Sequence, residues 1–231
     1  MRLDHGDALS PVGMNVNLSN PLEIILLLLT TSMVPFLAAT VTSFAKIVII
    51  FGIIRNALGM QQTPPNIVLT SLTIIITCYI MAPVAHDTMT AAQNVQFSSI
   101  TFQNAPDKLG EVSKPITKFL VENSTETSRL FFLQKARALW PKHFADKATD
   151  RDFLIAMPAF VLTEITQAFK IGFIIYLPFV VVDLIVSNVL MALGIVMISP
   201  TTISLPFKLM LFVLLDGWTR LIDGLIMTYR I

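Results

Sequence analysis

The chain has 231 residues, of which 54% are hydrophobic and only 13% are charged, against about 25% charged residues in an ordinary globular domain. Its mean hydropathy is +0.72 and its formal net charge is +1. This composition is typical of membrane proteins and excludes an ordinary soluble enzyme. Nine of the sixteen Lys and Arg residues lie between 108 and 151, interleaved with acids, so no nucleic-acid-binding patch is predicted.

Residues 1–20 contain Asp4 and Asp7 and lack a basic region leading into a short apolar core. This pattern does not fit a cleavable signal peptide. We expect a flexible N-terminal leader. Met14 is an alternative start, since the chain runs from it directly into the first apolar stretch, and the sequence leaves both starts open.

Two apolar stretches follow the leader. Residues 22–54 form an almost unbroken run of 33, longer than the roughly 20 residues that cross a bilayer, with Pro35 as the expected bend in one long helix. The connection at 55–66 contains Gly59 and two prolines, which favour a turn. Residues 67–85 supply a second span, so the sequence predicts a first helical hairpin at 21–87.

The composition of residues 88–152 is that of a soluble segment, and we expect a small extramembrane helical domain there. Residues 153–198 form a third apolar stretch, interrupted by Pro158 and Pro178, which predicts two helical pieces. A last stretch at 203–229 is interrupted by Pro206 and Lys208 and then by Asp216. The sequence therefore predicts a second helical hairpin at 153–231 and an all-α, membrane-type fold.

Charged residues lie inside these apolar stretches. One such charge facing lipid at the helix centre costs about 2.5–3.5 kcal/mol, so we expect these charges to be hidden in buried or inter-subunit contacts, or to line an aqueous path. Helical spacing groups them into three polar stripes, at 39–46, 163–170 and 216–223. The residues are Lys46, Glu164, Lys170, Asp183, Lys208, Asp216 and Arg220.

Two alternative roles for these charges are compatible with the sequence. They could pair within one chain, as Asp216 and Arg220 could at a spacing of four. A secondary transporter for a small solute would instead use Glu164 or Asp183 as an intramembrane coupling carboxylate. Motifs of enzymes, including Walker A, HExxH and GxSxG, are absent, and Cys78 stands alone, so we predict no catalytic residue, metal or cofactor.

Two separated blocks of sequence resemble the FliP/SctR family, the core export-gate subunit of bacterial type III secretion. The first block is Thr42-Ser43-Phe44 with Lys46-Ile47, followed by the motif residues Arg55, Asn56, Gln61, Gln62, Pro64, Pro65 and Asn66. The second includes Ala168 to Phe173, Tyr176 to Phe179, Leu190 to Gly194, and Ser199-Pro200 through Trp218. The resemblance covers nearly all of the chain outside the leader and the central domain.

The resemblance implies a function and a set of partners. Family members form a homo-pentamer that joins FliQ/SctS-like and FliR/SctT-like subunits in a structural pore for unfolded secreted polypeptides, such as effectors and needle or rod subunits. The FlhA/SctV-like and FlhB/SctU-like export components work beside this gate. The expected location is the bacterial inner membrane, within the secretion basal body, with the central domain on the periplasmic side.

Two departures from the family pattern bear on the site. Many relatives carry three methionines after the glycine that matches Gly194, in a loop that acts as a gasket closing the pore. Here the constriction segment reads Gly194, Ile195, Val196, Met197 and Ile198. Flagellar relatives also carry a basic residue two positions after the match to Glu164, where this chain has Thr166. The sequence ITQAFKIGF and the residues Leu139-Trp140-Pro141 resemble the virulence-associated branch of the family more than the flagellar branch.

Overall fold

The computed structural model describes residues 21–60, 64–95, 105–195 and 197–230. Within these ranges the ordered secondary structure is helical. The helices are α1 (Pro21–Val41), α2 (Phe44–Ala57), α3 (Asn66–Asn94), α4 (Ala105–Glu122), α5 (Glu126–Leu139), α6 (Lys142–Ala145), α7 (Phe153–Ala192), α8 (Pro200–Leu214) and α9 (Gly217–Ile226). The prediction of an all-α fold is confirmed. The predicted leader at 1–20 lies outside the described residues.

The first apolar stretch is two helices and not the single helix expected, and the break falls at Thr42-Ser43 instead of Pro35, which lies inside α1. The Thr42 hydroxyl donates to the Ala38 carbonyl and accepts from the Phe44 N–H. Such local side-chain bonds compete with the helical ladder. The chain divides into two units between Leu37 and Ala38, and the second unit contains the packed core.

Helix α2 is the centre of the second unit. It packs against α3 and α7, and Ile47, Ile50 and Ile54 on one helical face are almost completely buried. Each such side chain contributes about 1.5–3 kcal/mol through burial. Gly172 of α7 lies directly against the Ile53 side chain, so the absence of a side chain at 172 sets how closely α7 approaches α2.

The third apolar stretch, at 153–198, contains one long helix and not the two pieces predicted. Helix α7 runs for 40 residues through Pro158 and Pro178. Each proline removes only one backbone N–H donor from α7, and neighbouring helices can make up for the lost hydrogen bond. At 1.5 Å per residue α7 is about 60 Å long, about twice the ~30 Å thickness of a bilayer's hydrocarbon core.

Polar helices cover the first part of α7. Helices α4 and α5 both pack on α7, and α4 also packs on α3. Thr125, the N-cap of α5, donates its N–H to the Thr163 hydroxyl of α7 at 3.2 Å. The connection between α4 and α5 therefore lies level with Thr163. The division into two hairpins and a central domain stays a prediction, and α3 continues across the predicted boundary at 87/88 to Asn94.

Two helices among the described residues, α3 and α7, are long and apolar enough to cross a membrane, and a third span results if the end of α1 and α2 count as one. Helix α8 continues through Pro206 and Lys208 to Leu214. The prediction that these two residues interrupt the helix is therefore wrong. The break lies at Leu215-Asp216, where Asp216 adopts the left-handed conformation with φ of 50°. Helix α9 follows directly.

Candidate functional site: buried charge clusters and an exposed loop

A buried ion pair joins α2 to α7. The Lys46 Nζ lies 2.7 Å from the Glu164 Oε1, and the two side chains are 1% and 0% exposed. On α2, Lys46 shares one helical face with Ser43 and Ile47, and this face is turned toward α7. The missing basic residue near Glu164 is thus supplied by α2 of the same chain. This is a buried polar contact, and it is made within one subunit.

The segment after α9 completes this cluster. The Tyr229 hydroxyl donates to the Glu164 Oε2 and lies 3.4 Å from the Ser43 carbonyl oxygen. The Lys46 Nζ sits 4.1 Å from the centre of the Tyr229 ring and donates to the Thr228 hydroxyl at 3.4 Å. Burial, followed by the adjacent carboxylate, raises the pKa of Tyr229 well above its ordinary value. The hydroxyl therefore stays protonated and remains a donor.

A second charge cluster joins α7, α8 and α2. The Lys208 Nζ donates to the Asp183 Oδ2 at 2.6 Å and to the Ala57 carbonyl at 3.1 Å. The Ser204 hydroxyl donates to the Asp183 Oδ1 at 2.5 Å. Lys208 is nearly completely buried, whereas the Asp183 side chain is 30% exposed. The Ala57 carbonyl lies at the C-terminal end of α2, and the negative end of the helix dipole there favours a cation such as Lys208.

The other predicted charges lie at the surface. Lys170, Asp216 and Arg220 are exposed. The ion pairs found among the described residues do not include any of the three. The structure therefore brings together four of the seven predicted charges in two clusters, and leaves three facing outward. In α9 the contact between positions 216 and 220 is a backbone hydrogen bond of 3.1 Å.

The family motif spans the turn between α2 and α3. The Arg55 guanidinium donates to the Asn66 side-chain oxygen, so the two ends of the turn are joined directly. Gly59 has a φ of 76°, a conformation that glycine adopts readily. Asn56, Pro64 and Pro65 complete the described part of the motif. Gln61 and Gln62 lie outside the described residues.

The predicted constriction segment lies at the exposed end of the α7–α8 hairpin. Gly194 has a φ of 71°, and the Ile195 N–H donates to the Leu190 carbonyl at 2.9 Å, which is how a glycine ends a helix. Met197 is 100% exposed, and Ile195 and Ile198 are 37% and 46% exposed. Val196 lies outside the described residues. The loop therefore presents apolar side chains to whatever surrounds it.

The hairpin itself is equally uncovered. In the most apolar part of α7 only 11% of residues are buried. A groove of about 510 Å³ runs between α7 and α8, and its walls are apolar. Such a surface is stable only against lipid or other apolar helices.

Among the described residues no group of three His, Cys, Asp or Glu side chains is arranged to hold a metal ion.

Sequence reasoning missed several members of the clusters. Ser204 stands four residues before Lys208 on the same face of α8, which is a usable signal. Tyr229 carries no such signal, because it is separated from Glu164 by 65 positions in the sequence.

These features define an all-α membrane-type subunit whose core charges are paired internally and whose apolar hairpin is largely uncovered. The chain belongs to the FliP family, whose model matches residues 27–225. The resemblance seen in the motifs is thereby confirmed.

Three relatives match over almost their whole length. The chain is 42% identical over 214 residues to the Yop proteins translocation protein R of Yersinia pestis, covering 93% of this chain and 99% of that protein. It is 43% identical over 211 residues to the hypersensitivity response secretion protein HrcR of Ralstonia nicotianae, covering 90% and 97%. It is 38% identical over 210 residues to the virulence protein YscR of Salmonella typhimurium, covering 91% and 97%. Their names refer to secretion and virulence, as the predicted branch requires.

Proposed function

We propose that this chain is a structural pore subunit of a type III secretion export gate in the bacterial inner membrane, through which unfolded polypeptides pass. The observation that carries this proposal is the mismatch between α7 and a single membrane crossing. The helix is about 60 Å long, its first turns pack against the polar helices α4 and α5, and only 11% of the residues in its most apolar part are buried by its own chain. Neighbouring subunits would cover that length.

Family membership supports a proposal for the partners. We propose a homo-oligomer, pentameric as in the family, joined by FliQ/SctS-like and FliR/SctT-like subunits, with FlhA/SctV-like and FlhB/SctU-like components beside it. The exposed charges Lys170, Asp216 and Arg220 would make polar contacts between subunits, because a charge facing lipid is costly. The central helices would lie on the periplasmic side.

The alternative of a small-solute transporter has less support from the geometry. A coupling carboxylate must exchange protons or ions with water, but Glu164 is completely buried and paired with Lys46. Asp183 is held by Lys208 and Ser204. Both candidate carboxylates therefore have structural partners.

Native mass spectrometry of the chain in mild detergent tests the proposed function. We expect an oligomer near five copies that binds the FliQ/SctS-like and FliR/SctT-like subunits when the three are co-expressed. A partner-independent monomer or dimer that binds a small solute would refute the export-gate function and support the transporter.

The loop at 194–198 is the proposed constriction. Apolar side chains that converge on an aqueous path seal it by excluding water. Replacing Ile195, Val196 and Met197 together with glycine should leave the complex assembled but make the membrane leaky to ions, measured as ion flux in cells carrying the complete apparatus. As a control, Leu139→Gly changes an apolar side chain that is 80% exposed outside the loop. Normal permeability with normal secretion would refute the gasket assignment.

A further inference from the structure

The segment Thr228–Arg230, which follows α9, joins three other parts of the chain, and we call it the strap. The Tyr229 side chain is only 8% exposed. Its ring stacks on Phe119 of α4 with the centres 6.1 Å apart. Its hydroxyl binds Glu164 of α7, and Lys46 of α2 sits over its ring. The strap thus contacts α2, α4 and α7 through a single aromatic residue.

The backbone of the strap at Arg230 is held by one side chain. The Asn123 Nδ2 donates to the Arg230 carbonyl at 2.9 Å, and the Asn123 Oδ1 accepts from the Arg230 N–H at 2.9 Å. A side-chain amide carries the same donor and acceptor as a peptide group, so Asn123 pairs with Arg230 as a neighbouring strand would. Only the backbone of Arg230 takes part, which makes its side chain replaceable without loss of these bonds.

Helix α9 takes its orientation from contacts with the rest of the chain. It has ten residues, too few for a helix that is stable by itself. Leu221 and Leu225 are buried against the rest of the chain, and the left-handed Asp216 forms the turn that precedes the helix. Asp223 and the other α9 charges lie on the exposed side. The direction in which these charges point is therefore set by the two leucines and by anchors at both ends.

The strap and the buried ion pair stabilise each other. When the strap is closed, Lys46 has the Thr228 hydroxyl and the Tyr229 ring as additional partners. Glu164 then accepts a hydrogen bond from the Tyr229 hydroxyl. When it is open, the pair keeps only its own contact in a region that water then enters. Thr228 and Arg230, on either side of the buried Tyr229, are exposed, and a segment near a chain's surface can open locally without global unfolding.

We propose that the strap is a conformational device for assembly: it closes over the Lys46–Glu164 pair and so fixes the charged face of α9 in the orientation that neighbouring subunits bind. This inference rests on the proposed export-gate function. A chain with an open strap keeps its α2–α7 core but does not enter the complex.

The test uses the full chain with Asn123→Leu, which removes both bonds to the strap, and Arg230→Ala as the matched control, which keeps them. Hydrogen exchange is measured in detergent by mass spectrometry, and complex yield is measured after co-expression with the FliQ/SctS-like and FliR/SctT-like subunits. For Asn123→Leu we expect exchange at 226–230 to rise at least about tenfold, unchanged protection in α2 and α7, and at least about a fivefold lower yield. Arg230→Ala should match the unaltered chain in both measurements.

Each contrary result has a definite meaning. Unchanged exchange in Asn123→Leu would show that these bonds do not hold the strap, and faster exchange with a normal yield would show that the strap has no role in assembly. If Asn123→Leu also loses protection in α2 and α7, Tyr229→Phe decides in its place, since it removes a single hydroxyl. Failure of the unaltered chain and of Arg230→Ala to bind the partners would instead refute the proposed function, and the assembly role of the strap with it.

Discussion

Removing one member of the Lys46–Glu164 pair should destabilise the chain far more than removing both. Glu164→Gln leaves a buried ammonium without an anion, and Lys46→Met leaves a buried carboxylate with only the Tyr229 hydroxyl. Each single change should cost about 3–5 kcal/mol, because an unpaired charge in a site without water is poorly solvated. For a chain of this size that corresponds to a fall of roughly 6–20 °C in the unfolding midpoint.

The double variant Lys46→Met with Glu164→Gln should recover most of that loss. It removes both charges while the Gln side chain still offers Tyr229 an acceptor, and replacing a buried pair by neutral groups of similar size is often close to neutral. The coupling energy from the double-mutant cycle should therefore approach the sum of the two single-variant effects.

Thermal unfolding in mild detergent measures all three variants, with the exposed Lys118–Glu122 pair of α4 as control. Its N–O distance is 3.9 Å and its side chains are 72% and 39% exposed. The same cycle there should give no more than about 0.5 kcal/mol. Two single-variant effects below about 1 kcal/mol that simply add would contradict the burial and pairing of Lys46 and Glu164.

Two further substitutions test the packing around α2. Gly172→Ala would place a methyl group in overlap with the end of the Ile53 side chain and should cost about 1–3 kcal/mol; adding Ile53→Val should restore part of the thermal midpoint, and no change in either variant would refute the close approach. Asp183→Asn keeps a side-chain oxygen for Ser204 but removes the anion facing Lys208, so it should cost about 1–3 kcal/mol, less than a change at Glu164 because Asp183 is partly exposed. An equal or larger loss in the same unfolding assay would contradict that ranking.

Hydrophobicity and family motifs were enough to predict the fold class, the turn at Gly59 and the family. They did not predict where helices break. Pro35, Pro158 and Pro178 all lie inside helices, whereas the break near the start of the second unit follows from the Thr42 hydroxyl. Proline removes only one backbone donor, a loss that helices in membrane-type proteins can tolerate. The Thr42 hydroxyl, in contrast, both donates to the Ala38 carbonyl and accepts from the Phe44 N–H, across the break.

The cost of a charge in lipid identified which charged residues must be hidden, but it did not predict which residues they contact. An intramembrane charge must be hidden, and this argument singled out Lys46, Glu164, Asp183 and Lys208. In the structure they pair as Lys46–Glu164 and Lys208–Asp183, and the Asp183 side chain is 30% exposed. The argument says nothing about which charge meets which, because partner choice depends on the packing of α2, α7 and α8. Tyr229 was not selected at all, since a tyrosine near the end of an apolar stretch has many ordinary positions.

The separation of the paired residues along the chain also constrains how the protein is made. Lys46 lies in α2, but its anion lies in α7 and its further acceptor Thr228 is 182 positions away. During synthesis α2 therefore emerges with a lysine whose anion is missing until α7 has been made. Contacts of such long range form slowly, so this pair forms late in the folding of the chain.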